Sequence, residues 1–137
     1  MDQYLRDTVM AVATDVRHWA ESKAELGAND SLNGWCAIAS AELYRKLKDK
    51  GIAAEIHMWH WDLDGSAHVY CVVDDYVVDV TASQFKQFKN TRVVLMHTRE
   101  AEVYDFYRTV EVFKCADSLR KNQRKNKWPP NQVAYAA

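Results

Sequence analysis

The hydrophobic period of this chain changes at Ile52. Before that point apolar residues recur at helical spacing. Leu5, Val9, Val12, Val16 and Trp19 are separated by four, three, four and three positions, which predicts an amphipathic helix over 2–26. Gly27 to Gly34 is rich in Gly, Asn, Asp and Ser and reads as a loop. A second helix is expected over 35–50, with Cys36, Ala39, Leu43 and Leu47 on one face. Lys46, Lys48 and Lys50 load its last turn and Gly51 stops it.

After Ile52 the period shortens to that of strands. Ile52–Trp61 reads as one strand, Asp62-Leu63-Asp64-Gly65 as a turn and Ala67–Val73 as the next strand. Asp74-Asp75 is a tight turn into a partner over Tyr76–Thr81, and Val93–Met96 is a further strand. Residues 101–112 fit a helix in part and leave their ending open. Residues 116–127 read as a polar helix or tail, which Trp128-Pro129-Pro130 ends, and the last residues are expected to be loose. Helices first and strands after is the α+β pattern, with N-terminal helices packed on one face of an antiparallel sheet. At 137 residues one domain is expected, assigned to 1–115, with a basic tail over 116–137.

Charge is unevenly spread. From Lys114 onward six basic residues face only Asp117, a net +5, which leaves −6 for residues 1–113. A basic tail on an acidic body admits a polyanion or protein partner, but such a segment is more often a solvated surface. A nucleic-acid partner is therefore the weaker expectation. Three cysteines are an odd count and argue against a disulfide scaffold, so a reduced, cytoplasmic setting is expected. No apolar run reaches the length of a membrane span. The N-terminus lacks the basic start and apolar core of a signal peptide.

The chemistry-bearing residues come in a telling order. Asn33-Gly34-Trp35-Cys36 places a thiol at the start of the second helix, where unpaired N–H groups and the helix dipole favour negative charge. Gly34 permits the sharp turn into that helix. His68 follows on one strand and Asp79 on the next. A thiolate that attacks a carbonyl, an imidazole that moves protons and a carboxylate that orients the imidazole make an amide-bond enzyme. A two-residue loop at 74 and 75 pairs positions whose numbers sum to 149, which sets Asp79 opposite Tyr70 and makes His68 its diagonal neighbour on the same face. Tyr70 and Val72 share that face; Val69, Cys71 and Val73 take the other.

Gly34-Trp35-Cys36 with Ser40 one turn later, His68-Val69-Tyr70 and Asp79-Val80-Thr81 together resemble the transglutaminase-like branch of the papain-like cysteine protease superfamily. Around the Cys helix the chain is similar to lasso-peptide leader peptidases. The resemblance covers roughly residues 30–85. It implies a papain-like core, with Cys36 as nucleophile, His68 as base and acid, and Asp79 as orienter.

The expected function is a cysteine-dependent amide-bond hydrolase or acyl-transferase that takes a peptide or protein substrate and needs no cofactor or metal. Asn33 and Trp35 beside the thiol, and Trp59, Trp61 and Tyr70 on the strands, are the candidate substrate-binding residues. Two other readings share these residues. One is a binding module with a vestigial triad that engages a protein or nucleic acid through the tail. The other is a cell-wall amidase or protein deamidase. His57 and His60 are three positions apart, which puts them on opposite faces of a strand and argues against a shared metal.

Overall fold

A computed structural model describes residues 1–25, 31–61 and 66–136. The turn expected at 62–65 and the loop positions 27–30 lie outside these residues. The protein is α+β. Among the described residues it has four helices and a five-stranded antiparallel sheet. Helix α1 spans Gln3–Lys23, and Asp2 caps it by accepting the N–H of Leu5. Helix α2 spans Cys36–Asp49. It ends in a Schellman turn, in which Gly51 (φ 75°) donates to Lys48 O and Ile52 donates to Leu47 O, each at 2.9 Å.

Strands β1 (Glu55–His60), β2 (Ala67–Val73) and β3 (Tyr76–Asp79) form a meander. Strand β4 (Val94–His97) flanks β3, and β5 (Glu111–Phe113) flanks β1, giving the order β4-β3-β2-β1-β5. The expected hairpin register is the observed one: Cys71 pairs with Val78 and Val72 with Val77. Asp74 and Asp75 both adopt positive φ, 49° and 63°, as a type I′ hairpin requires. Residues 101–112 resolve into three pieces. The short helix α3 (Thr98–Ala101) is followed by a 3-10 turn at Asp105–Tyr107 and then by β5.

The two faces of the sheet are covered differently. Ile56, Met58, Val69, Cys71, Val73 and Val78 face α1 and α2, where they meet Val9, Val16, Leu43 and Leu47. Burying each large aliphatic side chain of this layer contributes about 1.5–3 kcal/mol. The opposite face carries Tyr70 and Val77, covered by Ala82, Ala101, Phe106 and Tyr107 from the irregular segments around β4.

The C-terminal segment forms the polar helix expected over 116–127, but its last residues are held rather than loose. Helix α4 (Ala116–Lys125) buries Ala116, Leu119 and Gln123 against the body, and Ala134 beyond it is also buried. Gln123 is the reason these last residues are held. Its Nε2 donates to Gln132 O at 3.1 Å, and its Oε1 accepts the N–H of Ala134 at 2.8 Å. One buried amide thus satisfies two backbone groups of the returning chain.

Candidate active site

Cys36 opens α2, so its N–H lies outside the helix's own hydrogen-bond ladder, which begins with Ala39 N donating to Trp35 O at 2.9 Å. Trp35, at the N-cap position, forms no side-chain capping bond. Gly34 approaches this start with φ 86°, a conformation that favours glycine. The Cys36 side chain is 5% exposed, at the floor of a cleft of about 610 Å³.

His68 is fully buried on β2 beside Cys36. Its Nε2 donates to Asp79 Oδ2 at 2.7 Å, and its Nδ1 lies 3.4 Å from Gln84 Nε2. With Nε2 committed to the carboxylate, Nδ1 is the ring nitrogen left to exchange a proton. Burial by itself would lower the His68 pKa, but the Asp79 charge and hydrogen bond, helped by Cys36, outweigh it and raise it to about 9.

Asp79 is a buried carboxylate with every lone-pair direction used. Oδ2 accepts from His68 and from the Tyr107 hydroxyl at 2.7 Å; Oδ1 accepts from Thr81 N at 2.9 Å and from Thr81 Oγ1 at 3.4 Å. Burial alone would raise its pKa. The His68 charge and these donors hold it below the ordinary carboxylate range. Burial and the Asp79 charge push the Tyr107 hydroxyl in the opposite direction, far up, so it stays a donor.

An aromatic cage encloses the imidazole. Phe85 meets it edge-on at 4.7 Å, Tyr70 stacks at 5.8 Å and Phe106 stands at 6.0 Å. Phe85 and Phe106 are themselves stacked at 3.8 Å. The loop after Asp79 is anchored from the far side of the molecule. Buried Arg17 of α1 donates to Val80 O at 3.0 Å and to Ser83 Oγ at 2.8 Å, while its Nε pairs with Glu21 at 3.0 Å.

The candidate substrate residues divide. Asn33 and Trp59 line the cleft. Tyr70 does not reach it: the residue is buried, and its hydroxyl donates to Tyr107 O at 2.9 Å beneath the His68 ring. Trp35 packs against the helix-side core. Trp61 stands edge-on to Trp59 at 6.4 Å and lines a neighbouring hollow with His60 and Glu111. His57 bonds Glu55 and Thr109, and His60 pairs with Glu111.

Sequence reasoning missed Tyr107, Gln84, Phe85 and the C-terminal wall of the cleft. Gln84 lines the cleft with Cys36, and its amide is held by Thr81 O at 3.0 Å with His68 Nδ1 at 3.4 Å. Asn126, Lys127, Trp128 and Gln132 form the opposite wall. The one local signal was the closeness of Gln84 to Asp79 and Thr81. Nothing near Tyr107 or Trp128 in the sequence marks them as neighbours of the site.

No family model, curated protein or solved structure matches this chain.

Proposed function

We propose that the protein is a cysteine-dependent amide hydrolase, a peptidase with a papain-like, transglutaminase-like core. The observation that carries this reading is the buried His68, bonded through Nε2 to Asp79, next to a cleft lined by Cys36 and by Gln84, whose amide reaches His68 Nδ1.

The chemistry follows from that order. The thiolate is the nucleophile, so the Cys36 proton passes to His68 Nδ1 as Sγ attacks the amide carbonyl carbon. A C–S bond forms and the carbonyl electron pair moves onto oxygen. The Cys36 backbone N–H and the Asn33 side chain at the cleft are the donors placed to meet that oxyanion. Collapse restores the carbonyl and breaks the C–N bond, and His68 gives its proton to the departing amine. Water then attacks the thioester and yields a proton to His68. The C–S bond breaks, and the proton returns to sulfur. Asp79 holds the ring and balances the imidazolium charge throughout.

Hydrolysis is favoured over transfer to an amine because the cleft opens to solvent. Asn33, Asn126 and Lys127 on its lining are exposed, so water reaches the acyl-enzyme.

Site-resolved alkylation by iodoacetamide tests the activated thiol. At mildly acid pH, Cys36 should react faster in the wild type than in His68→Gln. Site resolution matters. Cys115 is half-buried with a thiol held below its ordinary range by Ser118, whereas burial pushes the Cys71 thiol up. Equal Cys36 rates in the two proteins would leave the thiol without a partner and end this reading.

A further inference from the structure

The chemistry above uses none of the charge that α4 carries. Arg120 and Arg124 lie one turn apart on that helix, on one face. They line a second hollow of about 460 Å³, walled by Trp128, Val133 and Tyr135. Among the described residues no side-chain carboxylate lines it, and neither guanidinium has a hydrogen-bond or ion-pair partner. Two like charges at this spacing repel one another, and an incoming anion relieves that repulsion.

The walls of the hollow are fixed in place. The Ala134 N–H is held by buried Gln123 at 2.8 Å, Tyr135 meets Trp19 edge-on at 6.2 Å, and the Tyr135 carbonyl accepts from Arg45. Trp128 is common to this hollow and to the Cys36 cleft. A chain that leaves the cleft past Trp128 reaches the arginine pair without leaving the surface.

We infer that the Arg120–Arg124 hollow is an exosite that takes the carboxylate side chains of an acidic segment of the polypeptide substrate. The inference rests on the amide-hydrolase reading and adds the substrate class to it. A guanidinium fork matches a carboxylate in two parallel hydrogen bonds. Continuity with the cleft makes the occupant a polypeptide. Asn33 and Gln132 on the cleft lining offer side-chain amides, which pair with peptide N–H and C=O groups. The −6 charge of residues 1–113 repels an acidic chain elsewhere and steers its encounter to this +5 segment.

The test is fluorescence anisotropy with Cys36→Ala protein, which binds substrate without consuming it. The probes are a labelled peptide carrying a short run of glutamates and the same peptide with glutamines. The glutamate peptide should bind about tenfold more tightly at low salt, and the preference should shrink as salt rises. Arg120→Gln/Arg124→Gln should erase the preference. Arg124→Glu, at an exposed position, repeats the test should the double variant fail to fold. Equal binding of the two peptides, or an unchanged preference in the variants, overturns the exosite. Tighter binding of single-stranded DNA than of the glutamate peptide overturns the polypeptide assignment. Binding is read in Cys36→Ala and alkylation in the wild type, so absent glutamate preference with retained His68-dependent alkylation of wild-type Cys36 sinks the exosite alone. Retained binding with no such alkylation sinks the hydrolase alone.

Discussion

Strand β2 has two faces with different duties, and they differ by one residue in register. Val69, Cys71 and Val73 point to the helices, into a layer of aliphatic and small side chains. His68 and Tyr70 point the other way, under Phe85, Phe106 and Tyr107. The helix-side layer is held mainly by apolar contact, with Ser40 of α2 bridging to it: its Oγ donates to Val69 O at 3.0 Å and its carbonyl accepts from Cys71 Sγ at 3.3 Å. The other face surrounds a buried imidazole and carboxylate, whose burial is tolerable only because each polar atom finds a partner. Aliphatic packing tolerates substitution of similar volume. A paired buried charge does not tolerate the loss of its partner.

The largest expected effect falls on turnover. Cys36→Ala should lower amide hydrolysis about 10³-fold or more while changing the unfolding free energy by about 1 kcal/mol or less, which separates chemistry from packing. Peptide turnover and urea unfolding of one preparation measure both. Asp79→Ala should do both kinds of damage. It leaves His68, Tyr107 and the Thr81 N–H without their shared acceptor, and the destabilisation should reach about 3–5 kcal/mol by urea melt.

Leu43→Ala on the helix side and Phe106→Ala on the cage side should each cost about 2–5 kcal/mol. Only Phe106→Ala should also shift the His68 titration, followed by NMR of the ring, because only it touches the imidazole's surroundings. A shift of equal size in Leu43→Ala would erase the distinction between the faces. Tyr107→Phe removes one donor to a charged acceptor and should cost about 1.5–3 kcal/mol.

The pH dependence is subtler. His68 has a raised pKa, so its contribution is full below its ordinary 6.5 and is lost as pH rises through about 9. Asp79 has a lowered pKa, so its contribution is full above its ordinary 3.8 and is lost as pH falls below that. Stability from the pair should therefore peak between these limits. A series of urea melts should show the peak in the wild type and flatten it in His68→Gln.

Much of the helix side and of the hairpin was legible beforehand. The Val9–Val12–Val16 stripe, Gly51 as a stop and the two-residue turn at Asp74-Asp75 are local signals, and they set α1, the end of α2 and the β2–β3 register. That register alone brought His68 and Asp79 to one face. The polar helix over 116–127 was legible, but the residues after it are not loose because their anchor is Gln123, a polar residue whose burial follows from what it bonds ten or so residues later. Tyr70 was misread because alternation gives the face of a residue and not its depth; the turn at Asp105–Tyr107 covers it.

By itself, then, the sequence determined the α+β order, the β2–β3 pairing and the adjacency of His68 to Asp79, since hydrophobic period and turn chemistry act between near neighbours in the chain. Tertiary structure alone decided what completes and encloses them. Tyr107 reaches Asp79, Arg17 of α1 anchors Val80 and Ser83, and Trp128 walls the cleft over Cys36. Each of these contacts joins residues distant in sequence, and each exists because a buried polar group or an open apolar face must find a partner wherever the fold supplies one.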